Sequence, residues 1–368
     1  MRIVQLYDHF QERGGVERVI SMLANGWRAR GHDVAVVVRQ GEVREVFPLD
    51  AGVRRHSLEA SQPRSRLARW MRYGRDLWRL RRSPAIREAD VVVANGPWCA
   101  LLVLLAWRVR PLARRSPAII VCDHNSPAAF GSATRFLMRR LYRRADAIVA
   151  LTEQQAASYH TPASRVSVIP NPVELPEPAQ WAQVATSTTV LAAGRLVPQK
   201  GYDLLLRAWR QAAAESPGHR LLIVGDGPER GSLQRQAVEL GVAGSVTLAP
   251  ATAELGAHFA AAKVFVLSSR YEGFGLVMLE ALAHGLPVIA FDCEYGPRLL
   301  VHDGKNGRLC EPGNPAALAQ ALRDTLQDPP ALAAMAAEAR RSAQAYALPA
   351  VLDRWEPLLA SVTFPTRG

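Results

Sequence analysis

Ser268-Ser269-Arg270-Tyr271-Glu272-Gly273-Phe274-Gly275-Leu276-Val277-Met278-Leu279-Glu280-Ala281-Leu282-Ala283-His284-Gly285-Leu286-Pro287 links two short apolar runs, residues 264–268 and 288–291. Each run predicts a buried strand, and the apolar stretch from near Gly275 predicts a helix between them. Strand, glycine-rich turn, helix and strand in that order make a parallel crossover unit. The N–H groups of Gly273, Phe274 and Gly275 would have no acceptor within the helix. They would point at a ligand, with the positive end of the helix dipole behind them. Glu272 stands at the carboxyl end of the strand and Glu280 eight residues further on. Eight helical residues make about two turns and roughly 80° of rotation, so the two carboxylates do not stack on one helix face. Both can line one pocket if Glu272 remains in the turn, where carboxylates accept from sugar and ribose hydroxyls. Glu280 is flanked by Met278, Leu279, Ala281 and Leu282, a setting in which an unpartnered carboxylate is costly.

The same alternation extends in both directions. Strands are expected at 190–193, 221–224, 246–248 and 307–310, with helices at 202–215, 229–239, 254–262, 276–283 and 316–326. At the amino end, residues 3–7 form a strand and Arg13-Gly14-Gly15 a turn. Val16, Val19, Ile20, Leu23 and Trp27 then mark one stripe of an amphipathic helix, and 34–38 the next strand. Further strands are expected at 91–94, 119–122 and 147–151. Proline-rich residues 171–187 break both periodicities and read as a linker. A chain of 368 residues suits two domains of about 150 residues each. The expected fold is α/β, with two doubly wound Rossmann-like domains facing an interdomain cleft: 1–170, then 188–345. Residues 346–368 form a last helix with no strand after it, expected to cross back to the first domain and to kink or break at Pro357.

Composition narrows the function. Four scattered cysteines (Cys99, Cys122, Cys293, Cys310) without C-x-x-C spacing argue against a disulfide framework or structural zinc. The longest apolar run, residues 98–107, is about half a membrane span, and strand-like residues follow Met1-Arg2 directly, so a cytoplasmic protein without a leader is expected. Residues 1–177 hold 28 arginines against 16 acidic residues, whereas the remainder has 17 of each sign. Basic charge pooled in one half attracts polyanions: nucleic acid, anionic lipid headgroups or an anionic substrate. No nucleic-acid-binding module is recognisable, and that reading leaves Glu272, Glu280 and the glycine turns unexplained.

Other residues at carboxyl ends of strands are candidates too. Arg195 and Lys200, in Gly194-Arg195-Leu196-Val197-Pro198-Gln199-Lys200-Gly201, place a guanidinium fork and an ammonium five residues apart, suited to clamping a diphosphate. Gly225-Asp226-Gly227-Pro228 starts like a dinucleotide fingerprint, but the next glycine falls at 231, one place late. It reads as a turn and helix start. Gly14 and Gly15 let backbone approach a ligand, and His124 follows the strand at 119–122.

Taken together these residues resemble glycosyltransferase family 4, retaining enzymes of GT-B fold. The resemblance rests on Glu272-(seven residues)-Glu280 around Gly-Phe-Gly, with Gly14-Gly15-Val16-Glu17-Arg18, His124, Ile169-Pro170-Asn171-Pro172, Gly194-Arg195, Lys200-Gly201, Val224-Gly225-Asp226-Gly227-Pro228 and Asp303-Gly304-Lys305-Asn306-Gly307 in the family's order. It implies that Arg195 and Lys200 hold the donor diphosphate and that Glu280 accepts from ribose hydroxyls. Glu272 and the amides of Phe274 and Gly275 would meet the donor sugar, with Gly273 in the same binding turn and His124, Gly14 and Gly15 contributing from the first domain. The implied catalytic set is Glu272, His124, Arg195 and Lys200. The donor would be a nucleotide sugar, UDP-linked by the similarity of Phe291-Asp292-Cys293-Glu294-Tyr295-Gly296-Pro297 to members that use UDP-galactose or UDP-N-acetylhexosamines. No metal or cofactor is implied, and no D-x-D occurs. The acceptor would be a glycan or lipid-linked sugar of cell-surface polysaccharide assembly. The basic, tryptophan-bearing stretch from Arg64 to Arg115 would then dock on the anionic inner face of the cytoplasmic membrane. An epimerase of the same fold is the alternative, and it would not need such a basic face.

Overall fold

The computed structural model describes all residues except 11–13, 44–46, 59–65, 110–115, 125–130, 160, 253 and 364–368; the side chains of 66–73, 108 and 109 are likewise outside the description. The chain divides into two units, Met1–Pro172 with Leu348–Gly368, and Val173–Ala347.

The first unit is built on seven parallel strands: β1 (Arg2–Tyr7), β2 (Asp33–Val38), β3 (Arg54–Ser57), β4 (Val91–Asn95), β5 (Ala118–Cys122), β6 (Ala147–Ala150) and β7 (Val166–Val168). Their order is β3-β2-β1-β4-β5-β6-β7. The central strands are nearly all Val, Ile and Ala and, apart from Asp33 at the start of β2, are buried throughout, as a sheet covered on both faces requires. Val4, Leu6, Ala35, Val37, Val92 and Ala94 pack with Leu80, Ile86, Leu101, Val103, Met138 and Leu141 from four helices, forming one core. Helix Gly15–Ala29 buries Val19, Ile20, Leu23 and Trp27, the stripe expected from its spacing.

Residues Leu348–Thr363 form one helix that runs through Pro357, so no break occurs there. A proline inside a helix costs about 3 kcal/mol. Here the helix buries Val351, Leu352, Trp355 and Leu359. Trp355 meets Trp27 edge-on at 5.3 Å between ring centroids, and His32 and Arg30 bond to Glu356 and Asp353. Burying one such aromatic stabilises by about 3 kcal/mol, enough to offset the proline. No helix among the described residues is long and apolar enough to cross a membrane; most of the apolar run at 98–107 lies in helix Pro97–Leu104, whose side chains other than that of Trp98 are buried.

The second unit carries β8 (Thr189–Ala193), β9 (Arg220–Val224), β10 (Val246–Ala249), β11 (Val264–Leu267), β12 (Val288–Phe291) and β13 (Gly307–Cys310), all parallel, in the order β10-β9-β8-β11-β12-β13. Leu205, Leu206 and Trp209 of helix Tyr202–Glu215, with Leu318 and Leu322 of helix Pro315–Leu326, cover Val190, Ala192, Leu221, Ile223, Ile289 and Phe291. In each sheet the chain moves outward from the first strand and then resumes on its other side. The switch points therefore fall between β1 and β4, and between β8 and β11. Carboxyl ends of strands at such a point leave a crevice for a ligand.

Candidate active site

At the second sheet's switch point, two loops leave adjacent strands and are fastened to each other. From β8 comes Gly194 to Gly201, from β11 Ser268 to Gly275. The Arg270 guanidinium grips the Asp203 carboxylate through two bonds of 2.9 and 2.8 Å and also donates to Pro198 O. Its backbone N–H donates to Gln199 O, while Gln199 Nε2 donates to Tyr271 O and Ser268 Oγ to Lys200 O. Gly201, with φ +62°, makes the approach possible: a Cβ there would lie 2.1 Å from the Ser268 carbonyl oxygen.

This fastening brings Lys200 Nζ to 2.6 Å from Glu272 Oε1, which also accepts from Ser269 Oγ at 2.6 Å. Both charges are largely buried, Glu272 at 7% exposure, so the pair needs the good geometry it has. The ammonium keeps donors in reserve, and Glu272 Oε2 accepts from no described residue. The N–H groups of Gly273, Phe274 and Gly275 likewise meet no acceptor among the described residues. They lead into helix Leu276–Ala283, on which Glu280 is buried. Gly296, after β12, rests on this turn, since a Cβ would lie 2.6 Å from Phe274 O and 3.3 Å from Glu272 Cβ. Arg195 is exposed and without an ion pair among the described residues. Gly225 and Gly227 press against the backbone of Gly194 and Leu196, shaping the β8 loop, and Arg230 bonds Asp226 across that turn.

The remaining candidates lie in the first unit. Gly14 precedes helix Gly15–Ala29, and Glu17 folds back against it; Arg13 is outside the described residues. His124 is buried after β5, with Nε2 2.9 Å from Asn95 Oδ1. Burial lowers its pKa to about 4. Beside it Asp123 is fully buried and accepts from Tyr142 and Tyr159 at 3.0 and 2.9 Å. Burial raises its carboxyl pKa to about 6, although the tyrosine bonds pull the other way.

That shift fixes a sign. An acid whose folded pKa lies above its unfolded value gives stability that is complete below about pH 3.8 and lost as pH rises through 6. The full difference is about 3 kcal/mol. Urea unfolding of the wild type relative to Asp123→Asn should therefore show the wild type losing ground by up to that amount between about pH 4 and pH 7. A constant difference across the range would mean that Asp123 is ionised without penalty.

Sequence spacing gave no sign of three features. The Lys200–Glu272 ion pair joins residues far apart in the chain. Asn95 lies one place beyond the strand expected at 91–94 and closes β4 in the structure. Arg39 is held by Asp8 at 2.5 Å and by the buried Asp76 at 2.8 Å, tying helix Arg66–Arg82 to the sheet. Of the basic stretch expected to meet a membrane, Arg64, Arg110, Arg114 and Arg115 and the side chains of Arg66, Leu67, Arg69, Trp70, Met71, Arg72 and Arg108 lie outside the described residues. The described part shows Trp78 53% exposed with Arg82 over its ring at 4.4 Å. Helix Ser132–Leu141 adds Phe136, 69% exposed, between Arg135 and Arg139.

Comparison with known proteins follows the same division. The family profile described as Glycosyltransferase Family 4 matches residues 13–177, and that described as Glycosyl transferases group 1 matches 176–342. The amylovoran biosynthesis glycosyltransferase AmsD of Erwinia amylovora is 28% identical over 82% of this chain and 84% of its own length. The GDP-mannose-dependent alpha-(1-6)-phosphatidylinositol monomannoside mannosyltransferase of Mycolicibacterium smegmatis is 33% identical over 74% of each chain. Among solved structures, Anabaena HepE, crystallised with UDP and glucose, superposes with a TM-score of 0.79 at 22% identity, covering 98% of this chain and all of that one. With two parallel doubly wound sheets in matching order and relatives of this identity and coverage, the chain belongs to the family 4 glycosyltransferases and has the GT-B fold.

Proposed function

We propose that this glycosyltransferase moves a hexose or N-acetylhexosamine from a UDP-sugar to a glycan or lipid-linked acceptor, retaining anomeric configuration, in the assembly of cell-surface polysaccharide or lipopolysaccharide. The observation that carries this reading is the Lys200–Glu272–Ser269 cluster beside the open amides of Gly273, Phe274 and Gly275. It sets anion donors and a carboxylate acceptor side by side, as a sugar diphosphate requires. AmsD acts in amylovoran biosynthesis, which supports the pathway class. HepE holds UDP and the mycobacterial relative is GDP-mannose-dependent, and the UDP reading rests on the resemblance of residues 291–297.

In this proposal the departing UDP develops charge on its β-phosphate oxygen, and Arg195, Lys200 and the turn amides neutralise it from fixed positions. Glu272 Oε2 accepts from a donor-sugar hydroxyl, Glu280 takes the ribose hydroxyls, and Gly14, Gly15 and His124 contact substrate from the first unit. Glu272 positions the sugar and does not attack it. The acceptor hydroxyl enters on the face that the phosphate leaves, and the phosphate takes its proton. Incubation with a panel of sugar nucleotides, with the product's anomeric configuration read by proton NMR, tests this. Transfer from a UDP-sugar with retention, persisting in excess EDTA, is expected. Inversion would overturn the stereochemistry, metal-dependent activity would reassign the charge neutralisation, and an epimerised donor without transfer would favour the epimerase.

The arginine-rich helices with exposed Trp78 and Phe136 suit an anionic lipid surface, where each basic side chain contributes about 1 kcal/mol. Flotation with anionic vesicles should recover the protein, and Phe136→Asp should weaken that recovery. Equal recovery on neutral vesicles would refute an electrostatic attachment.

A further inference from the structure

A buried polar chain crosses the switch point of the first sheet. Gln5 lies in β1 opposite Val93 of β4. Asn95 ends β4 opposite Cys122 at the end of β5, and His124 follows two residues later. All three side chains are buried. Asn95 Nδ2 donates to Gln5 Oε1 at 2.6 Å and lies 3.3 and 3.4 Å from the carbonyl oxygens of Val93 and Leu6. The two backbone carbonyl oxygens fix the amide's orientation, because exchanging its ends would set Oδ1 against both. Gln5 then turns its Oε1 to Asn95, and its Nε2 stays buried with no partner among the described residues. Asn95 Oδ1 therefore faces His124 Nε2 at 2.9 Å. That oxygen can only accept, so Nε2 carries the proton. The other ring nitrogen, Nδ1, then presents a bare lone pair, and it is buried with no partner among the described residues.

We propose that Asn95 and Gln5 are positioning residues that lock His124 in its neutral Nε2–H form, so that Nδ1 accepts a hydrogen bond from a substrate hydroxyl. The last clause rests on the assignment of His124 to the substrate made above. The lock itself follows from the four distances. Burial works in the same direction by disfavouring the imidazolium. Of the titratable groups on the surrounding elements, Asp123, raised to about 6 by burial, changes charge near neutral pH, and its effect is common to the wild type and to an Asn95→Asp variant. Asp123 holds Tyr142 and Tyr159, while Asp8 and Asp76 hold Arg39, with Cys99 Sγ on Asp8. Cys122 is buried and its thiol pKa is pushed up by that burial. Among the described residues only Asn95 bonds the ring.

The test is nitrogen NMR of ligand-free protein carrying 15N-histidine, with His124→Gln identifying the His124 signals. The wild type is expected to show the Nε2–H neutral form from about pH 8 down to about pH 5. In Asn95→Asp the carboxylate should protonate the ring near neutral pH. The donor KM should then rise about tenfold at pH 6 and recover by about pH 9 as the ring loses its proton. A uniform structural fault would not recover with pH. Asn95→Leu, which removes the acceptor, should give mixed tautomers. An Nδ1–H or doubly protonated ring in the wild type at neutral pH overturns the lock, whether or not any variant folds. An Asn95→Asp spectrum altered as expected, with KM unmoved at every pH, upholds the lock and refutes the contact between His124 and substrate.

Discussion

Lys200→Ala should lower turnover by about 10²–10³-fold, the effect of removing one preorganised donor from a developing anion. The same change should cost about 3–5 kcal/mol of stability, because Glu272 would remain buried beside Ser269 with its cation gone. The two losses can be separated. Lys200→Ala combined with Glu272→Gln removes the stranded charge, so unfolding measurements should show most of the stability restored. Turnover should remain low, since neither phosphate donor nor carboxylate acceptor returns. Recovery of activity along with stability in the double variant would show that Lys200 serves the fold alone.

Gly201→Ala is expected to be nearly as damaging by another route. Its φ of +62° costs a non-glycine residue about 1 kcal/mol, and the added methyl would sit 2.1 Å from the Ser268 carbonyl oxygen, a backbone atom with no freedom to swing away. The β8 and β11 loops would have to part, giving a stability loss of about 3 kcal/mol or more and displacing Lys200 from Glu272. Gly218→Ala is the control, since its φ is +86° and nothing lies within 4 Å of the added atom; about 1 kcal/mol is expected there. Equal losses at both positions in urea titrations would assign the whole effect to backbone conformation and none to the contact between loops.

The strands around both switch points were legible because they are short, β-branched apolar runs bounded by turn residues, the pattern of strands in a sheet covered on both faces. The edges were not. β3 reads Arg-Arg-His-Ser and is only partly buried, β7 has three residues, and polar or abbreviated edge strands carry little periodicity. Helix Pro329–Ala343 escaped notice because its alanine-rich sequence draws no sharp line between faces. In the site, Glu272, Lys200 and the glycine turn could be picked out because residue type and position at a strand end coincide. Their pairing could not, because the fastening that creates it (Arg270 to Asp203, Ser268 to Lys200) is tertiary. Asn95 and Gln5 were invisible for a related reason. A polar residue inside an otherwise apolar strand shows only that something must satisfy it, and the partner is chosen by sheet order.

Because Leu348–Thr363 packs against Gly15–Ala29, the first unit is made from two ends of the chain with the whole of the second inserted between them. During synthesis the ribosome therefore finishes the inserted body before it delivers the piece that seals the earlier one. The nascent first unit has to wait with Trp27 uncovered, exposed to chaperones and proteases, while its later-made neighbour can already close.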